Sequence, residues 1–134
     1  MANATEATGK FRMKDEELAV AIDTIAREAG AVILSIYDRE FEIETKSDNS
    51  PVTEADQAAE AIIVTKLRSL TPNIPVVAEE EVAVGKKTNV DSGLFWLVDP
   101  LDGTREFISR NGEFTVNIAL IRNWEPVLGT VHVP

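Results

Sequence analysis

The residues with the clearest chemical potential are carboxylates at the ends of apolar runs. In WLVDPLDGTREF, residues 96 to 107, Asp99 and Asp102 stand three apart around Pro100 and directly precede Gly103 and Thr104. VVAEEE places Glu79, Glu80 and Glu81 after another apolar run, and Asp56 follows Thr53 in PVTEAD. Hard cations such as Mg2+ take oxygen ligands in octahedral array, commonly a few carboxylates completed by water and substrate phosphate. Pro100 has a fixed φ and no N–H, so the chain turns there; Asp99 and Asp102 can converge, and the Leu101 carbonyl is a further oxygen ligand. Gly103 and Thr104 open a predicted helical turn whose N–H groups suit a phosphate. Two cations about 4 Å apart would activate a water and clamp phosphoryl oxygens. Asp56 with the Thr104 hydroxyl is the candidate pair for orienting and deprotonating that water.

Taken singly, each cluster has a bland reading. Asp, Pro and Gly build turns, Asp56 suits the first turn of a helix, and a glutamate run suits a solvated face. Acidic residues ending two buried strands and beginning a helix are what favour a joint site. His132 stands alone in a strand pattern, and Lys86 and Lys87 read as a solvated loop.

The elements that must position these groups follow from periodicity. Leu18, Ile22, Ile25, Ala29, Val32 and Ile36 recur at steps of three and four, which predicts a helix from Asp15 with Asp15, Glu16 and Glu17 in its first turn. Gly30 weakens that helix but allows a close neighbour. FEIE alternates as a short strand, and KSDNSP has loop chemistry. Thr53 with Asp56 three residues on predicts an N-cap, and a helix from about Glu54 to Leu70 would bury Ala59, Ile62, Ile63, Leu67 and Leu70. IPVVAEE reads as a short strand, and residues 82–93 as a flexible insertion. LFWLVD, continuously apolar, predicts a strand buried on both faces. FTVNIALI alternates Phe114, Val116, Ile118 and Leu120, RNWEP supplies a hairpin turn with Trp124, and VLGTVHV returns antiparallel. Trp96 belongs to the expected core.

The fold class predicted is α+β, two N-terminal helices packed on a mostly antiparallel sheet. Residues 1–12 read as a flexible arm and 13–134 as one domain; a chain of 134 residues can bury roughly two thirds of its unfolded surface. No closing helix follows VHVP, so one sheet face is expected to lie uncovered, which favours a homodimer or aggregation. Thirteen Lys and Arg against 23 Asp and Glu give a net charge of −10, which repels nucleic-acid polymers and acidic membranes. A small phosphorylated ligand stays compatible, because bound cations reverse the local field. The absence of cysteine removes thiol chemistry and disulfides. No stretch approaches the ~18 apolar residues of a membrane span, and the N-terminus lacks a signal-peptide core, so a cytoplasmic protein is expected, free or peripheral on the inner membrane.

The set SDNSPVTEAD, VVAEEE, WLVDPLDGT and REFISRNGEFTVNIALI resembles the lithium-sensitive, magnesium-dependent phosphatase superfamily that includes inositol monophosphatase. DNSPVT, DGT followed by Arg105, Glu106 and Phe107, and RNGEFTVNIAL are most similar to its CysQ-type 3'(2'),5'-bisphosphate nucleotidases. The resemblance runs from about Leu18 to Pro134. It implies the N-terminal domain of an α/β/α/β/α sandwich, two or three Mg2+ ions, and removal of the 3'-phosphate from adenosine 3',5'-bisphosphate in sulfur metabolism, with inositol monophosphatase activity as the near alternative. Carried over by residue, it implies Glu79, Asp99, Asp102 and the Leu101 carbonyl as metal ligands, Asp102, Gly103 and Thr104 as phosphate contacts, and Asp56, Thr104 and Glu79 as the catalytic set. Lys46 and Asp48 would lie in a loop over the site. It also implies a second half after Pro134, with a further metal-binding aspartate and most substrate contacts. The chain is therefore expected to be a truncated, nearly inactive form, or a catalytically dead domain that binds only a cation or a partner.

Overall fold

The computed structural model describes residues 13–39, 42–46 and 51–134, so the expected arm at 1–12 and Asp48 of the expected loop lie outside the described residues. Helix α1 spans Asp15–Tyr37 and buries Leu18, Ile22, Ile25, Ala26, Ala29, Gly30, Ile33 and Ile36. Its core stripe runs through Ile33, and Val32 is only partly covered. The i+3 and i+4 positions bracket one stripe, and packing decides between neighbours. The glycine is used as a contact: a Cβ on Gly30 would lie 2.7 Å from the His132 ring, so His132 is a packing residue over α1.

Strands β1 (Ile43–Thr45) and β2 (Pro51–Thr53) pair antiparallel, so the loop-like KSDNSP segment yields its last residue to a strand. Proline is tolerated there as the first residue of an edge strand. Thr53 then caps α2 (Glu54–Leu70): its hydroxyl accepts the N–H groups of Ala55 and Asp56, while Asp56 accepts the N–H of Thr53. The buried face of α2 is Ala55, Asp56, Ala59, Glu60, Ile63, Val64 and Leu67. Two carboxylates thus sit in the apolar stripe, one turn apart, while Ile62 and Leu70 are only partly buried.

Strand β3 (Val76–Ala78) leads directly into a short helix, α3 (Glu79–Ala83), where the sequence pattern had suggested a strand end followed by a loop. Three consecutive glutamates at a helix start are favoured by the dipole. After the loop, β4 (Phe95–Asp102), helix α4 (Thr104–Ser109), β5 (Thr115–Arg122) and β6 (Glu125–His132) complete the chain. The main sheet has the order β3-β4-β5-β6, with β3 and β4 parallel and the other pairs antiparallel. Asn123 and Trp124 both adopt positive φ at the β5–β6 turn, as a two-residue hairpin requires.

Both long helices cover one sheet face, α1 against β5 and β6 and α2 against β3 and β4. Trp96, Val98, Val116, Ile118 and Leu120 point into that layer. The opposite face carries Leu97, 47% exposed, and Val131, 71% exposed, so β4 is not buried on both faces. An all-apolar run conceals which side is covered, because both alternating sets are hydrophobic.

Candidate active site

Asp56 is fully buried at the first turn of α2. One of its oxygens, Oδ2, is saturated locally, accepting the Thr53 N–H at 2.8 Å and the Thr53 hydroxyl at 2.6 Å. The other, Oδ1, accepts the Thr104 hydroxyl at 2.8 Å, across 48 residues of sequence. The helix start and the DGT turn therefore meet in space. The Thr104 hydroxyl also lies 3.3 Å from the Leu101 carbonyl, but its single proton belongs to the shorter contact with Asp56.

Gly103 makes this turn possible. Its φ of 97° is in the left-handed region, and a Cβ there would come within 2.7 Å of the Glu113 carbonyl. Helix α4 behind it is anchored by aromatic packing: Tyr37, Phe107 and Phe114 have centroids 5.2 Å apart pairwise. Arg110, at the end of α4, donates to the carbonyls of Tyr37 and Arg39, tying α4 to the end of α1. Asp102 ends β4 beyond a register shift and accepts the Asn117 amide at 3.3 Å.

The structure also brings one carboxylate oxygen each of Asp56, Glu79 and Glu80 within 4.8 Å of one another. Asp99 and Asp102 are not in that group, but their charges reach it: burial, then repulsion by Glu79 and Asp102, push the Asp99 carboxyl up to about 7. Burial, with Glu79 beside it, pushes Glu80 up to about 8 in spite of Lys46. The Lys46 ammonium lies 3.0 Å from Glu80 and 3.6 Å from Glu79. Burial opposes its charge, yet Glu80, Glu79 and Asp56 outweigh that and raise it above the usual lysine range. Among the described residues, Glu80 Oε2 and Asp99 Oδ1 are buried with no hydrogen-bond partner. A set of oxygen donors carrying excess negative charge and orphaned buried oxygens fits a hard divalent cation.

The spacing argument named Glu80 only as part of its glutamate run and did not reach Glu60. Glu80, buried where Glu79 is 43% exposed at its side chain, joins the acidic group because α3 rotates it inward. Glu60, 5% exposed, accepts the N–H of Glu80 at 2.7 Å and of Glu81 at 2.9 Å. A charged residue within the apolar stripe of α2 was the available signal. Lys46, Glu60 and Glu80 also line a cavity of about 680 Å3 bounded by β1, α2 and α3; Asp99, Asp102 and Thr104 lie outside it.

The model of the inositol monophosphatase family matches residues 13–134. This chain belongs to the inositol monophosphatase family. Within the family, the 3'(2'),5'-bisphosphate nucleotidase CysQ of Escherichia coli O6:H1 is 53% identical over 112 residues, covering 82% of this chain and 45% of that one. CysQ of Haemophilus influenzae is 38% identical over 120 residues. The crystal structure of CysQ from Bacteroides thetaiotaomicron superposes with a TM-score of 0.68 at 42% identity, covering 92% of this chain and 44% of that one. An inositol monophosphatase of Thermotoga maritima gives 0.71 at 31% identity, covering 83% and 42%. The chain thus spans a little under half the length of the relatives it matches.

Proposed function

We propose that this chain forms the metal-binding and water-orienting part of a magnesium-dependent phosphomonoesterase that hydrolyses the 3'-phosphate of adenosine 3',5'-bisphosphate to AMP and inorganic phosphate. The Thr104–Asp56 bond carries the mechanistic reading, and the identity to CysQ supports the substrate. Glu79, Asp99, Asp102 and the Leu101 carbonyl would hold Mg2+, with Glu80 beside them. When bound, the cation would supply water activation and neutralisation of charge on the phosphoryl oxygens.

The protein groups do the rest. With its proton committed to Asp56 Oδ1, the Thr104 hydroxyl presents lone pairs that accept a hydrogen bond from water and so orient it. A proton leaving that water passes to Thr104 Oγ1 as the Thr104 proton moves to Asp56 Oδ1. Asp56 Oδ2, fixed twice by Thr53, keeps the acceptor aimed. The N–H groups of Gly103 and Thr104 would receive the phosphate. The site is proposed to work in the cytoplasm; among the described residues, no helix is long and apolar enough to cross a membrane.

Phosphate release with Mg2+ from adenosine 3',5'-bisphosphate and from inositol 1-phosphate, at high protein concentration, tests the proposal. Mg2+-dependent release from the bisphosphate, lost in Asp56→Asn, is expected. Faster release from inositol 1-phosphate would reassign the substrate, and full release without a divalent cation would overturn the mechanism. Mg2+ binding with no release would select a second reading, a cation-binding domain without turnover.

A further inference from the structure

Helix α2 carries two buried carboxylates one turn apart, and only Asp56 is used by the mechanism above. The other, Glu60, points at the acidic turn. Its Oε1 accepts the Glu80 N–H at 2.7 Å and its Oε2 the Glu81 N–H at 2.9 Å, so both oxygens are spent on consecutive backbone donors 20 and 21 residues away. Helix α3 needs such a hold. It has only five residues, and its N-cap, Ala78, contributes no side-chain bond. The first N–H groups of any helix lack intrahelical partners, and a segment this short has no helical stability of its own.

We propose that Glu60 is a positioning residue for the candidate site. By registering the Glu80 and Glu81 amides against the face of α2 that carries Asp56, it sets the places at which Glu79 and Glu80 meet a divalent cation. Arg68, two turns further along α2, holds the Glu81 carboxylate at 3.2 Å and gives the turn a second anchor on the same helix. One rigid element thereby fixes both halves of the site: Asp56 locates the DGT turn through Thr104, and Glu60 locates the EEE turn. The inference rests on the metal-dependent reading of the site.

A carboxylate is an unusual choice beside three other glutamates, since repulsion and burial both work against it. What it offers over an amide is two acceptors at one end of a side chain of this length. Glutamine keeps the volume but turns an NH2 group onto one of the two N–H donors.

The test combines Glu60→Gln with hydrogen exchange on the unmodified chain. In the unmodified chain the Glu80 and Glu81 amides are expected to exchange far more slowly than free amides. In Glu60→Gln they should lose that protection while β4 and β5 amides keep theirs, and calorimetric Mg2+ affinity should fall about 10–100-fold, the usual effect of losing a group that orients a ligand. In a Glu79→Gln background the further loss should be much smaller, because both changes act on the same turn. A folded Glu60→Gln chain with unchanged Mg2+ affinity would overturn the proposal, as would unprotected Glu80 and Glu81 amides in the unmodified chain. The second criterion decides the matter if Glu60→Gln does not fold. Failure of the unmodified chain to bind Mg2+ would count against the phosphatase reading, leaving the two amides to judge Glu60.

Discussion

Thr104 is where the proposed mechanism is narrowest, because the hydroxyl that donates to Asp56 is also the one proposed to orient the water. Thr104→Val removes that hydroxyl at nearly constant volume. Turnover measured in the presence of Mg2+ should fall by about 10²–10⁴, the range for a lost proton-transfer group, while Thr104→Ser retains most of it. Mg2+ affinity by calorimetry should barely change in either, since the hydroxyl serves the water. Equal losses of turnover in Ser and Val variants would mean that shape, not the hydroxyl, matters. Asp56 itself was readable in the sequence because Thr53 and Asp56 interact over three residues. Glu60 was not, because its partners lie 20 residues away, and Glu80 was named only within its glutamate run, because which member turns inward depends on the rotation of a helix that begins inside that run.

At the scale of elements, the site is held by short pieces that could not stand alone. Helix α4 has six residues, and its position depends on Phe107 packing against Tyr37 and Phe114. Phe107→Ala should destabilise the chain by about 3–5 kcal/mol in denaturant unfolding, as large aromatic truncations in cores do. Turnover should fall with it as Thr104 loses its fixed place; a variant as stable as the parent would show that α4 is anchored otherwise. The long helices were legible because a 3.6-residue stripe and a capping pair are local signals. The one-sided burial of β4 is not legible for the opposite reason. Leu97 and Val98 are equally apolar in sequence, and only the placement of both helices on one face makes Val98 core and leaves Leu97 half exposed. Residues 82 and 83, expected in a loop, continue α3, beside which Arg68 and Lys86 both pair with Glu81.

For the whole molecule, the acidic centre links stability to pH and, on the proposed reading, to divalent cations. Asp99 ionises at 3.8 in its ordinary state and about 7 in the fold; Glu80 moves from 4.5 to about 8. Both are raised, so the folded chain holds protons that the unfolded chain has already released. The metal-free fold should therefore lose stability as pH rises from about 4 through about 8, with no further loss from these groups above that. A cation that needs the ionised carboxylates reverses this and binds more tightly as pH rises. Mg2+ at about 100 times its dissociation constant would add about 2.7 kcal/mol. The most direct test of the claim that these carboxylates form a cation site is thermal unfolding at about pH 5 and about pH 8, with and without Mg2+. A lower midpoint is expected at the higher pH without the ion, with a rise on adding Mg2+ that is large at the higher pH and small at the lower. An equal Mg2+ effect at both pH values, or none at the higher, would contradict it.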